Sequence, residues 1–268
     1  MRRKPCVAGF FYPRNPDSLR SMIQRMIDAE AEKKKALAVI SPHAGYEYSG
    51  SVAGHVFSSV ELPRRFVILG PSHRDIPVKM AIMSSGVWEM PLGEVPVDSD
   101  LASLIMAHTA GIEEDAQSHL NEHSLEVQVP FLQYFAEHLS IVPISISYMQ
   151  AYEDLQELGL GVAKAIKEAG DEIMIVASTD MSHYVTQEEA KKKDFLAIDK
   201  ILNLDPKGLY DVVKKERISM CGIHPTTAAL VASQALDAQK AELIMYQTSG
   251  DVSGNFVEVV GYAGLRIV

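Results

Sequence analysis

Cysteine is nearly absent: Cys6 and Cys221 are the only two in 268 residues. Two thiols allow one disulfide at most, and no closely spaced pair offers the four-ligand set of a structural zinc site, so a reducing interior is the expected setting. Basic residues are outnumbered, with 25 Lys and Arg against 35 Asp and Glu for a net charge of -10. Sequence-independent nucleic-acid binding depends on Lys and Arg to neutralise phosphates, and no basic stripe compensates. The one basic cluster, Lys191-Lys192-Lys193, follows Glu188 and Glu189 and reads as the solvated face of a helix. No apolar stretch approaches the roughly 18 residues that cross a bilayer. Arg2-Arg3-Lys4 is not followed by the apolar segment of a secretory leader. A cytoplasmic protein is expected, with neither nucleic acid nor membrane as partner. Linkers rich in Pro, Gly or Ser are lacking, as are low-complexity tracts and repeats, which leaves a single domain over 1–268 as the simplest organisation.

What the chain does have is a composition that is 47% hydrophobic and 22% charged, that of an ordinary globular protein with a generous core. Apolar runs rich in Val and Ile recur at 36–41, 65–70, 78–83, 141–147, 172–178, 242–248 and 256–267. Helical periodicity fills the intervals at 16–34, 50–59, 98–110, 124–138, 150–169, 186–202 and 225–238. Strands alternating with helices predict an α/β sandwich, α/β/α in layers, around a mainly parallel or mixed central sheet. The last run is long enough for two strands, or for one with Gly261 and Gly264 as bulges. Trp88–Val97, with two prolines and a glycine, reads as a loop or short hairpin.

Three histidines each follow a short apolar run: ALAVIS leads to His43, RFVILG to His73 and IMIVASTD to His183. In an open α/β sheet the strand C-termini share one edge, and the loops leaving it form the ligand crevice. Imidazoles delivered there from distant segments are expected to meet. Imidazole is the commonest transition-metal ligand and the commonest acid–base group near neutral pH. In Ser41–Gly50 (SPHAGYEYSG), Pro42 ends the strand and the loop is expected to display His43, Tyr46 and Tyr48. Gly70-Pro71-Ser72-His73 repeats that punctuation. Asp180 and His183 are three residues apart and would face the same way on a turn of helix, the carboxylate fixing the imidazole's tautomer. The plainer readings are a backbone-satisfied loop histidine for His43 and an N-cap for Asp180.

Cys221 lies just upstream of a helix begun by Pro225, where a thiol pKa is lowered; the plainer reading is a buried, inert thiol. In and just before Leu120–Pro130, His119, His123 and Glu126 are candidates to line the crevice, while Glu122 and Ser124 suit structural capping. Two His and one Cys would make an open, three-ligand site suited to iron(II), copper or zinc.

At these same residues the chain resembles the Memo family, also called the AmmeMemoRadiSam system protein B family. The resemblance runs nearly end to end: AGFFYP at 8–13, SPHAGYEYSG at 41–50, GPSH at 70–73, NEHSLEVQVP at 121–130, STDMSH at 178–183, MCGIHP at 220–225 and SGDVS at 249–253. It implies a fold similar to the class III extradiol dioxygenases. It implies metal ligands at His43, His73 and Cys221, an acid–base histidine at His183 with Asp180 beside it, and pocket positions at Phe11 and Tyr48. Where the dioxygenases supply a carboxylate as third ligand, the Memo pattern supplies Cys221. A thiolate is softer and more oxidisable, which shifts preference toward copper or redox-active iron and argues against catechol ring cleavage.

A metal-dependent oxidoreductase is therefore expected, with iron(II) or copper, or zinc, as cofactor and no nucleotide cofactor. The alternative is a binding module in which Phe11, Tyr46, Tyr48, His119, His123 and His224 recognise a small molecule or peptide, since animal Memo proteins are associated with receptor-linked motility and phosphorylated peptides. Metal-free catalysis with Cys221 as nucleophile and His183 or His224 as base, and hydrolysis by zinc-bound water, are further alternatives. The family's gene neighbourhoods imply a pathway link to a radical-SAM protein.

Overall fold

The structure, a computed structural model, describes residues 1–74 and 77–268. In chain order its elements are β1 (Arg2–Arg3), α1 (Pro16–Gln24), β2 (Ala38–Ser41), α2 (Tyr46–Ser58), β3 (Arg65–Pro71), β4 (Met80–Ile82), β5 (Val87–Met90), β6 (Gly93–Pro96), α3 (Ser99–His108) and β7 (Ile112–Glu114). Then follow α4 (Val129–Phe135), β8 (Ser140–Ile146), α5 (Tyr152–Ala169), β9 (Ile173–Ser178), β10 (His183–Val185), α6 (Gln187–Leu202), α7 (Pro206–Lys215), α8 (Ile223–Ala235), β11 (Ala241–Thr248), α9 (Gly250–Ser253) and β12 (Val259–Ile267).

The main sheet has the order β10-β12-β2-β9-β3-β8-β4-β7, with β11 paired to β12. Its centre, β2-β9-β3-β8, is parallel, and antiparallel pairings flank it, so the sheet is mixed. Alternation along each central strand feeds two cores. Ala38, Ile40, Val67, Leu69, Ile175 and Ala177 face the layer of α3, α5, α6, α7 and α8. Val39, Phe66, Ile68, Met174 and Val176 face α1, α2, α4 and the Trp88 hairpin. Strands buried on both faces read as continuous apolar runs, which is why periodicity of two is hidden in them. In α5, Leu155, Leu158, Val162 and Ile166 fall at helical spacing on one buried stripe, each worth roughly 1.5–3 kcal/mol in burial.

Several boundaries differ from those expected. α1 stops at Gln24 rather than near residue 34, and the 124–138 helix begins as a 3-10 turn at Glu126–Gln128. The final run is one strand, β12, and its bulge lies across from Gly264, between Leu243 and Met245. Trp88–Val97 is a hairpin, with β1 added to it in parallel. Among the described residues no helix is long and apolar enough to cross a membrane.

Candidate metal centre

The site is built where β2, β3 and β9 end. Pro42 stops the β2 ladder, and the His43 backbone N–H donates to Asp180 Oδ1 at 2.8 Å, joining the loops after β2 and β9. The loop after β3 is held by Glu122, whose Oε2 accepts the His73 N–H at 2.6 Å. Ser124 Oγ donates to the Pro71 carbonyl at 2.8 Å, closing the 119–126 segment onto the end of β3. A Cβ at Gly70 would stand 2.7 Å from Ser124 Oγ and 2.9 Å from Leu125 Cγ, so glycine is needed for that approach.

Ligating atoms of His43, His73 and His123 all lie within 4.8 Å of one another. The His73 and His123 rings stack with centroids 4.5 Å apart, and His43 meets them edge-on at 5.1 and 5.6 Å. Cys221 joins this group through His43: its Sγ lies 3.1 Å from His43 Nε2. Gly222 makes that possible. A Cβ there would stand 2.3 Å from both the Ser178 carbonyl and Thr179 Cβ, so only glycine lets the start of α8 abut the end of β9.

The hydrogen-bond network assigns the tautomers. Ser178 Oγ has a single proton and donates it to the Ser124 carbonyl at 2.6 Å. It must then accept from Gln128 Nε2 and from His43 Nδ1, each at 2.9 Å. His43 therefore carries its proton on Nδ1 and keeps a lone pair on Nε2. His73 is fixed alike, with Nδ1 donating to Glu122 Oε1 at 2.9 Å. His123 Nδ1 faces the same oxygen at 3.6 Å. A hydroxyl or carboxylate behind an imidazole is the arrangement that orients metal-binding histidines.

Electrostatics agree. Burial drives His43 well below the ordinary imidazole value, and His73 and His123 push it the same way. Burial also lowers His123, against the pull of Glu122. Burial alone would raise the Glu122 carboxyl, but hydrogen bonding to His73, the nearby imidazoles and the Ser124 N–H bring it down to about 2. Burial, then Asp180, pushes the Cys221 thiol up, and burial raises Asp180 despite the His43 N–H. Imidazoles with free Nε2 atoms next to a sulfur donor suit iron, copper or zinc, and not the all-oxygen shells of magnesium or calcium.

His183 is placed differently from expectation. Residues 180–182 form no helix, and among the described residues Asp180 hydrogen-bonds to the His43 N–H and not to His183. His183 Nδ1 lies 2.8 Å from the carbonyls of both Met181 and Ser219, so that nitrogen is protonated and Nε2 is the free base. Tyr184 follows with φ of 57° at a bulge against β12, the kind of local strain that re-aims a neighbouring side chain.

The remaining candidates divide. Phe11 meets His123 edge-on at 4.9 Å, and Tyr48 is part-exposed on the first turn of α2. Tyr46, expected on display, is buried among Tyr12 and Phe131 with its hydroxyl donating to the Val127 carbonyl. His119 is buried against Trp88, its Nε2 on the Ala81 carbonyl at 3.2 Å. His224 is buried 6.3 Å from Tyr210 of α7. Glu122, read from sequence as a cap, is the carboxylate behind His73; its signal was its position directly before His123. Ser178 and Gln128 went unnoticed, and so did Tyr148, whose ring lies 6.5 Å from His73.

The model of the family described as Memo-like protein matches residues 3–266. The chain belongs to the Memo-like family. A MEMO1 family protein of Pyrobaculum arsenaticum is 43% identical to it over 98% of both chains. One from Methanothermobacter thermautotrophicus is 40% identical over 99% of this chain and all of its own. Among solved structures, an uncharacterised protein of Escherichia coli K12 superposes with a TM-score of 0.54 at 12% identity, over 85% of this chain and 99% of that one. That likeness concerns the fold alone. In the structure the motifs at 8–13, 41–50, 70–73, 121–130, 178–183 and 220–225 supply Phe11, His43, His73, Glu122, His123, Ser178 and Cys221 around the histidine group.

Proposed function

We propose that this Memo-like chain is a metal-dependent oxidoreductase in which His43, His73 and Cys221 hold iron or copper. The observation that carries the reading is the 3.1 Å between Cys221 Sγ and His43 Nε2. Two ligands of one tetrahedral ion, at roughly 2.0 Å for nitrogen and 2.3 Å for sulfur, stand about 3.5 Å apart. Held by these residues, iron or copper would supply one-electron redox chemistry between an organic substrate and dioxygen. The chain's own groups do the rest. Ser178 and Glu122 hold the two imidazoles in the ligating tautomer. Phe11 packs edge-on against His123 and Tyr148 lies edge-on to His73. His183, with Nδ1 committed to two carbonyls, accepts a substrate proton at Nε2.

Anaerobic loading with iron(II), copper(I) or zinc, followed by oxygen uptake with an organic reductant, tests this. The iron or copper form is expected to exceed the same concentration of free metal, with the zinc form silent and His183→Gln slow at unchanged metal content. Uptake no greater than free metal in every form contradicts it.

One observation favours a second reading, a peptide-binding cleft. Phe10, Tyr148, Met149 and Tyr184, neighbours of the site residues, are 85%, 51%, 90% and 76% exposed, and exposed aromatic and thioether groups are common at recognition surfaces. That reading requires peptide affinity that survives chelation.

A further inference from the structure

Arg3 ends the two-residue strand β1, yet it is fully buried, as is its partner Glu126. A guanidinium has five N–H donors in a fixed fork, and here each has a partner. Nε donates to the His119 carbonyl at 2.9 Å. Nη1 donates to Glu126 Oε2 at 2.5 Å and to the Lys4 carbonyl at 3.3 Å. Nη2 donates to the Glu122 carbonyl at 2.7 Å and to Cys6 Sγ at 3.4 Å. The cation also lies 4.1 Å over the Trp88 ring. Two of these acceptors, at residues 119 and 122, are backbone carbonyls of the segment that supplies the Glu122 carboxylate and His123.

Glu126 completes the junction from the other side. It accepts the backbone N–H groups of Cys6 and Val7 and the Tyr12 hydroxyl at 2.8, 3.1 and 2.6 Å. Residues 3–12, which include Phe11, are thereby fixed to the 119–126 segment. A bare surface anchor would not need a desolvated charge with every donor matched, because burying an ion pair is costly unless its geometry is fully satisfied.

We infer that Arg3 is a positioning residue of the metal centre, acting through the backbone of residues 119–122 to hold Glu122 against His73. The inference rests on the proposed metal site only for its second readout. Lysine cannot substitute: it has three donors and no planar fork. His43 and His183 hang on other groups, Ser178 in one case and the Met181 and Ser219 carbonyls in the other. Loss of Arg3 should therefore disturb His73 most and leave His183 unchanged, with His43 reached only indirectly through the Ser124 carbonyl.

The test is long-range proton–nitrogen NMR of the imidazole rings in the full, metal-free chain, followed by cobalt(II) affinity against a chelator. Arg3→Lys is compared with wild type and with Ile105→Ala, a core truncation in the opposite layer. Arg3→Lys is expected to turn the single Nδ1–H tautomer of His73 into an averaged signal while His183 keeps its own, and to weaken cobalt binding about tenfold or more. Ile105→Ala should lower thermal stability without either change. Should Arg3→Lys fail to fold, Glu126→Gln removes the ion pair at nearly constant shape and is expected to shift His73 in the same direction. An unaltered His73 signal in the folded variant, or an equal change in Ile105→Ala, overturns the inference. If wild type takes up no cobalt, the NMR comparison still decides the role of Arg3, and only the proposed oxidoreductase function falls.

Discussion

Cys221 Sγ lies 3.1 Å from His43 Nε2, although the two residues are 178 positions apart in sequence. The His43 proton is on Nδ1, facing Ser178, so the thiol meets a lone pair. With burial pushing the thiol up and the imidazole down, both groups are neutral near pH 7. That state makes the first prediction.

A metal ion bound by Cys221 must displace the thiol proton, whereas ligation by the already neutral His43 releases none. The account predicts release of about one proton per ion at pH 7.5. Titration calorimetry in buffers of different ionisation enthalpy measures it. Cys221→Ser should abolish the release; an undiminished release in that variant would place the proton elsewhere.

Ser178 is the hydroxyl on which the His43 tautomer depends. Ser178→Ala leaves Gln128 Nε2 its bond to the Pro42 carbonyl at 2.9 Å but strands His43 Nδ1 and the Ser124 carbonyl. Metal affinity is expected to fall about 10- to 100-fold, with a stability loss of about 1–3 kcal/mol. Chelator competition and thermal unfolding on the same sample read both.

Acid should weaken the fold in two successive windows. Burial lowers His224 to about 4, Lys214 adding to the effect, and burial with Arg3 lowers His119 to about 4, both from 6.5. Above pH 6.5 neither contributes. Between 6.5 and 4 the unfolded chain takes up protons that the folded chain refuses, so stability falls as pH drops. Glu122, depressed from 4.5 to about 2, adds stability above pH 4.5 that is lost on further acidification. His224→Phe should remove about 3 kcal/mol of the change between pH 7 and pH 4. Urea unfolding across that range would show the same slope in both proteins if this assignment were wrong.

Much of the architecture was legible because the central strands are short apolar runs closed by Pro42, Pro71 and Asp180. α7 was missed although Asp205 caps it and Pro206 begins it, a start signal in its own right. The site was legible as strand-end histidines, and His43 and His73 do meet. The third strand-end histidine gave way to His123, because residues 180–182 form no helix and His183 Nδ1 is taken up by the Met181 and Ser219 carbonyls. Sequence spacing cannot show that placement, which follows from a bulge pairing with β12. Nor can it show Ser178 or Arg3 at work, since each acts through partners more than fifty residues away.

The most direct test of a metal held by His43, His73 and Cys221 is elemental analysis of untagged protein purified without air, beside His43→Ala and Cys221→Ser. Close to one iron or copper per chain is expected in wild type, with its loss from both folded variants. A folded wild-type chain that contains no metal and cannot be loaded with one would contradict it.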